Sequence, residues 1–316
     1  MAIILKDNFC FFELYNGCTS LIIDNRIDEI VDYVNSHDID SVTIQPMLHD
    51  IMPYKGMCKY LLTDVLTLDF LKRMPSLTKV RLIDVNSCNA SGLYYLKNLT
   101  HLTVSNANNN PRKNIRIDFR KFERLTELNT DWFSEGFNVS SNNNLKFLCV
   151  RKYWSTTKNF TELQLPKHLT NLEIIQSNIK NFMGIKCSEL KNIEISYCAQ
   201  LSSLDGISAI ASKLNSLIVE NARSLTDYES IKSCRLLQNV VLVSCGNIAT
   251  IEWVKHLPEL SRFILDKTTV IDGDMRGLMS VDNVIFTNKS HYNCKCIFSL
   301  NGVRKYKIIP VTIVRK

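Results

Sequence analysis

No run of apolar residues in this 316-residue sequence approaches the ~18–20 residues that a membrane-spanning helix requires. The first ten residues, MAIILKDNFC, pass from a short apolar stretch into Lys6 and Asp7, which is not the pattern of a secretory leader. Glycine is scarce, at 10 residues, and none falls in a GxxxxGK[ST] or GxGxxG phosphate cradle; HExxH and GxSxG are missing too. The six histidines, His37, His49, His101, His168, His256 and His291, stand apart from any obvious nucleophile. These absences leave no sequence basis for catalysis, so the expectation is a non-enzyme without a cofactor. The nearest approach to a metal pattern is His291-x-x-Cys294-x-Cys296. It lacks a fourth ligand and the usual CxxC-type spacing, so no metal is expected there. Eleven cysteines lie at uneven spacing, several at positions of the apolar pattern (Cys149, Cys198, Cys245). That usage fits reduced, buried thiols in a cytoplasmic protein.

What the sequence does contain is a copy of itself. Leu68–Leu82 reads LDFLKRMPSLTKVRL and Ile251–Leu265, 183 residues further on, reads IEWVKHLPELSRFIL. Apolar or polar character matches at every position but one, where Arg81 stands against Ile264, with Lys and Pro at the same places. Between these blocks the pattern L-x-x-L-x-L recurs from Leu77, Leu99, Leu125, Leu145, Leu169, Leu190, Leu214, Leu237 and Leu260, with a weaker copy at Val281, at intervals of 20 to 26 residues. An earlier copy starts at Ile39, and a further degenerate copy is expected between Met47 and Leu68. The alternation within each copy predicts a strand with one buried face. Apolar residues spaced by three follow several strands: Leu68, Leu71, Met74; Leu204, Ile207, Ile210; Ile251, Val254, Leu257. They predict a short helix or helical turn that packs on that face. No such unit closes a core alone, but a stack of them does.

LTHLTVSNAN at Leu99–Asn108, LTNLEIIQSN at Leu169–Asn178, LKNIEISYCAQL at Leu190–Leu201 and LQNVVLVSCGNI at Leu237–Ile248 resemble the leucine-rich repeat, whose core is L-x-x-L-x-L-x-x-N/C-x-L with a period of 20–29 residues. The ninth position is Cys198 or Cys245 in two copies and small or variable elsewhere (Val85, Ala107, Tyr153, Ser177, Ala222, Thr268). The chain is thus similar to the irregular, cysteine-containing bacterial subtypes. The resemblance implies an α/β solenoid, with a curved parallel sheet on the concave side and short helices or turns on the convex side.

A solenoid must cover its ends. Residues 1–38 are expected to form a mixed N-terminal cap. It would contain strands at Ile3–Leu5, Phe9–Leu14 and Leu21–Ile23, then a helix capped by Asp24 or Asn25. Residues 39–290 would hold the repeats. Residues 291–316 would form a C-terminal hairpin turning at Asn301-Gly302, paired onto the last repeat, the whole being one continuous domain. Two polar insertions, 106–114 and 134–144, are expected to be surface loops.

The net charge is +7. Much of the excess lies in Arg112, Lys113, Arg116, Arg120, Lys121 and Arg124, and in the tail residues Arg304, Lys305, Lys307, Arg315 and Lys316. This permits an alternative reading as a binder of nucleic acid or another acidic ligand, although aromatic residues suited to stacking on bases are thin there. The strand pattern projects the third, fifth and seventh positions of each copy onto the open face. That face begins with Lys79, Arg81 and His101. Its centre then carries Glu127, Asp131, Glu173, Glu194 and Glu220 against Arg151, with Phe147, Ile175, Ile218, Val241, Val243 and Ile264 between them. A net-basic chain with an acidic, partly apolar inner face is expected to bind another protein that offers a basic, partly apolar patch. The resemblance to stand-alone bacterial repeat proteins extends this to an immunity-type inhibitor of a toxin.

Overall fold

The computed structural model describes residues 2–13, 17–46, 67–85, 88–106, 115–133, 137–299 and 305–310. The chain forms two compact units, Met1–Leu148 and Cys149–Lys316, between which the expected repeats are divided.

The first unit opens with an antiparallel meander, β1 (Ala2–Lys6), β2 (Phe9–Glu13) and β3 (Thr19–Ile22). Helix α1 (Ile27–Ser36) follows and buries Ile30, Val31, Tyr33 and Val34. No side chain caps its first turn. Asp24 instead accepts from the Arg26 backbone N–H at 2.9 Å and holds the Arg26 guanidinium at 2.6 Å. From β3 onward the pairing is parallel: β4 (Ser41–Ile44), β5 (Lys79–Ile83), β6 (His101–Ser105) and β7 (Glu127–Asp131) follow in chain order. Strand β4 pairs directly with β5, so no strand of a further copy intervenes between them; residues 47–66, where that copy was expected, lie outside the described residues.

Strand β8 (Phe147–Arg151) holds the division between the units. The second unit continues the coils through β9 (Asn171–Ile175), β10 (Asn192–Ser196), β11 (Ser216–Glu220), β12 (Asn239–Val243), β13 (Arg262–Asp266) and β14 (Asn283–Phe286), all parallel and in register. The hairpin β15 (Cys294–Ser299) and β16 (Lys305–Pro310) comes last. It is a separate two-stranded sheet that lies against β14 and does not extend the parallel ladder. Its expected turn, Asn301-Gly302, falls outside the described residues.

Each strand from β5 to β14 starts two residues after the leucine, or Val281, that opens its copy. That leucine turns inward and is nearly inaccessible, as at Leu169, Leu190, Leu214 and Leu237. The fourth and sixth positions join it in the core, for example Leu172 with Ile174 and Leu217 with Val219. A leucine moved from water to such a site contributes about 1.5–3 kcal/mol, and every coil repeats the gain. The opposite wall is built from 3-10 turns such as Asp69–Arg73, Ile207–Ile210 and Glu252–His256. Their period of three residues is the spacing seen at Leu68, Leu71 and Met74. Among the described residues α1 is the only α-helix.

Every strand from β8 to β13 is followed by a non-glycine residue in the left-handed region: Lys152, Gln176, Tyr197, Asn221, Ser244 and Lys267, with φ between 50° and 57°. The turn lets that residue's N–H reach the last carbonyl of the next strand, as in Gln176 N to Ser196 O at 2.9 Å and Ser244 N to Asp266 O at 2.9 Å. One more residue along, the position that an asparagine ladder would occupy carries Ser177, Cys198, Ala222, Cys245 and Thr268, all buried. All but Ala222 bond to backbone through their short side chains, as in Ser177 Oγ to Tyr153 O at 2.6 Å and Cys245 Sγ to Val219 O at 3.4 Å.

Candidate functional site

The parallel register sorts the outward side chains of the second unit into three rows. The first is a polar ladder: Asn192 Nδ2 donates to Asn171 Oδ1 at 2.5 Å, Asn239 Nδ2 to Ser216 Oγ at 2.8 Å, and Arg262 Nη1 to Asn239 Oδ1 at 3.1 Å. The middle row pairs Glu173 with Glu194, Glu194 with Ile218, Ile218 with Val241, Val241 with Ile264 and Ile264 with Ile285. The third runs Ile175, Ser196, Glu220, Val243, Asp266. Glu173, Glu194, Ile218, Ile264 and Ile285 are half-buried and Val241 is buried, among their neighbours in the rows.

Glu173 and Glu194 stand directly opposite each other, where side chains on adjacent strands come within about 5 Å at Cβ. Burial raises the Glu173 pKa, the Glu194 carboxylate raises it further, and a hydrogen bond from Cys149 pulls it partly back. The Cys149 thiol is itself pushed up to about 12, first by burial and then by the charge of Glu173. The site therefore sets two half-buried carboxyl groups side by side, beside a continuous apolar row. Paired carboxylates of this kind attract an ammonium or guanidinium, and an apolar row of this kind favours contact with apolar side chains.

The other residues expected on this face fall differently. Arg151 and Glu220 are half-buried in the second unit with Ile175, whereas Glu127, Asp131 and Phe147 belong to the first. Asp131 is 4% exposed and turned inward among Val85, Val104, Ile115 and Phe133. Its Oδ2 accepts the Asn106 backbone N–H at 3.1 Å, so the alternation that should have turned it outward ends one residue early. Cys149, which the same alternation turned outward, is 1% exposed. Sequence reasoning missed Ile285, because Val281 opens a degenerate copy. It also missed Trp154 and Tyr197, which are 63% and 59% exposed beyond the ends of β8 and β10.

Of the basic segment, Arg112 and Lys113 lie outside the described residues, as do Arg304, Arg315 and Lys316. Arg116, Arg120, Lys121 and Arg124 are exposed. Arg120 forms a fork with Asp118 at 2.9 Å and Arg124 donates to Asn98 at 2.9 Å, so two of these cations are already engaged. His291 meets the Val270 carbonyl at 2.9 Å and Cys296 donates to Val284 O at 3.3 Å. No group of three or more His, Cys, Asp or Glu side chains converges as a metal site among the described residues. No helix among them is long and apolar enough to cross a membrane.

No family model matches the sequence, and no curated protein matches it. Solved structures are similar. An internalin (inlF) from Listeria monocytogenes shares 16% identity over 72% of this chain and 78% of its own, with a TM-score of 0.43. The functional domain of InlJ from the same species, described as including a cysteine ladder, shares 15% over 78% of this chain and 61% of its own, with a TM-score of 0.42. A leucine-rich repeat protein of Leptospira interrogans shares 14% over 79% and 94%, with a TM-score of 0.30. The buried leucine that opens each coil, the parallel strand two residues later and the 20- to 26-residue spacing are those of the leucine-rich repeat fold.

Proposed function

We propose that the chain is a non-catalytic protein-binding module, and that the strand face of the second unit receives a basic, partly apolar patch of its partner. The observation that carries this reading is the middle row: two opposed carboxylates, Glu173 and Glu194, run in register into Ile218, Val241, Ile264 and Ile285. Complementary charge directs the encounter and fixes the register, and the apolar row contributes area removed from water. The partner acts in the cytoplasm in this reading. Its finer form is an immunity-type factor that masks a toxin.

The test is calorimetric. A partner recovered with the wild-type chain and identified by mass spectrometry is titrated against Glu173→Lys and Glu194→Lys. Each reversal is expected to weaken binding by at least about tenfold with the circular dichroism unchanged. Unchanged affinity in both variants refutes the assignment of this face. The immunity form fails separately if co-expression of the chain leaves the toxicity of that partner undiminished.

A further inference from the structure

The row that runs from Glu173 to Ile285 has a length, a width and a polarity, and together they restrict what can lie on it. Its residues sit on consecutive strands, β9 to β14. Neighbouring strands are about 4.8 Å apart, so the row is about 24 Å long. One face of an α-helix presents a side chain every three or four residues, about 5.4 Å along its axis, and about sixteen residues cover the same 24 Å. An extended segment repeats its facing side chains at about 6.8 Å. It falls about 2 Å out of step at each strand, the helix only about 0.6 Å. The flanking rows, which begin at Asn171 and Ile175, stand about 13 Å apart along the strands. That width admits a helix, whose diameter is roughly 10–12 Å.

The backbone argues the same way. The strands engage their N–H and C=O groups with one another through the parallel ladder. The first row bonds within itself, Asn192 to Asn171 and Arg262 to Asn239. An extended segment laid over Ile218, Val241 and Ile264 would set its own backbone groups unpaired against apolar side chains, whereas a helix satisfies them internally. The polarity comes from the carboxyl groups at one end. The Cys149 thiol meets Glu173, and Ser196 Oγ donates to Glu194 Oε1 at 3.3 Å. Both donors are neutral, and an ionised carboxylate has about four lone-pair sites, so a cation can still be received there.

Resting on the reading of this face as the docking surface, we propose that its occupant is an amphipathic α-helix of about sixteen residues laid across the strands. Lys or Arg stands at the end over Glu173 and Glu194. Apolar side chains follow at intervals of three and four residues along Ile218, Val241, Ile264 and Ile285.

Fluorescence anisotropy of labelled, end-blocked peptides against the full chain tests it. The peptide ARAQRAQALAQLAQALAQLA sets two Arg and then four Leu on one helical face. A second peptide replaces its tenth and fifteenth Ala by Pro, which breaks that helix. The first is expected to bind saturably and the second at least about tenfold more weakly, and Glu173→Lys is expected to weaken the first by about tenfold. Equal binding of the two peptides, no saturation by the first, or undiminished binding to Glu173→Lys overturns the inference. With the partner itself, a benzophenone amino acid is placed at Ile218 and, separately, at Ile285, about 14 Å away along the row. The captured partner residues are expected to lie about nine or ten apart in sequence. Residues about four apart mark an extended segment, which overturns the inference and leaves the docking face standing. Capture from neither position removes the face as well.

Discussion

Replacing Glu173 by Gln tests the electrostatics of the proposed binding face without any knowledge of the partner. Glu173 and Glu194 are opposed across β9 and β10. Two unit charges about 5 Å apart repel by roughly 0.8 kcal/mol in water and about 3 kcal/mol at an effective dielectric constant of 20. Both residues are half-buried, and exposed like-charge pairs fall at the low end of such ranges, so a gain of about 1 kcal/mol is expected at pH 7. Gln keeps an oxygen able to accept from Cys149, whose bond to Glu173 is the one contact that favours the charged form. The sign in pH follows from the raised pKa of Glu173. Below the ordinary carboxylate pKa, both folded and unfolded chains hold the proton and the residue contributes nothing. As pH rises, the unfolded chain releases its proton first, so the wild type loses stability until the folded pKa is passed. The Gln variant escapes that loss. Urea unfolding at pH 7 and at pH 3.5 is the assay. The variant is expected to be more stable at pH 7, with the advantage shrinking toward pH 3.5. A variant that is less stable at pH 7, or an advantage that is the same at both pH values, refutes the reasoning.

Gly206 has φ 92°, and a Cβ there would lie 2.6 Å from Met183 N and 2.7 Å from Phe182 O in the preceding coil. Gly206→Ala is therefore expected to cost about 2–5 kcal/mol, from a left-handed alanine and from overpacking, read as a lower urea midpoint; an unchanged midpoint would show that the coils are not in this close contact. Ser244→Gly, at φ 52°, is expected to gain about 0.5–1 kcal/mol, the left-handed strain relieved less the entropy that glycine adds to the unfolded chain; a loss would contradict the turn geometry. Asp131→Ala removes the acceptor of the buried Asn106 N–H and is expected to cost about 1–3 kcal/mol, whereas an open-face aspartate would cost almost nothing. Asp118 is lowered to about 2 by Arg120 first and by Asn138 next. The stability it supplies is present above the ordinary carboxylate pKa and lost as pH falls toward 2, and Asp118→Asn should flatten the acid limb of a pH–stability curve. Binding of duplex DNA that weakens steeply with salt is not expected, since Arg120 and Arg124 are engaged within the fold.

The coils were legible in the sequence because a strand and its buried leucine sit at fixed offsets. Leu169, Leu172 and Ile174 place β9, and the same three positions place β10 to β13. The spacing of three at Leu204, Ile207 and Ile210 likewise predicted a short helix or helical turn, which the structure forms as a 3-10 turn. The register that follows was enough to set Glu173 beside Glu194 and Ile218 beside Val241. Asp131 was not legible, because its inward turn depends on the Asn106 backbone 25 residues away, a contact outside any single repeat. The pairing of β4 with β5 was hidden for a similar reason, since it reaches across 38 positions, Ser41 with Lys79. The hairpin was found by its pattern, yet its failure to extend the parallel ladder depends on contacts such as Cys296 with Val284.

The central claim, that the strand face of the second unit is where a partner docks, is tested most directly by photo-crosslinking from defined positions. A benzophenone amino acid is placed at Ile264, in the apolar row, and in a second variant at Glu252, on the opposite wall of the coil. Capture of the same partner from Ile264 and none from Glu252 is the expected result. Capture from Glu252 with none from Ile264 would contradict it.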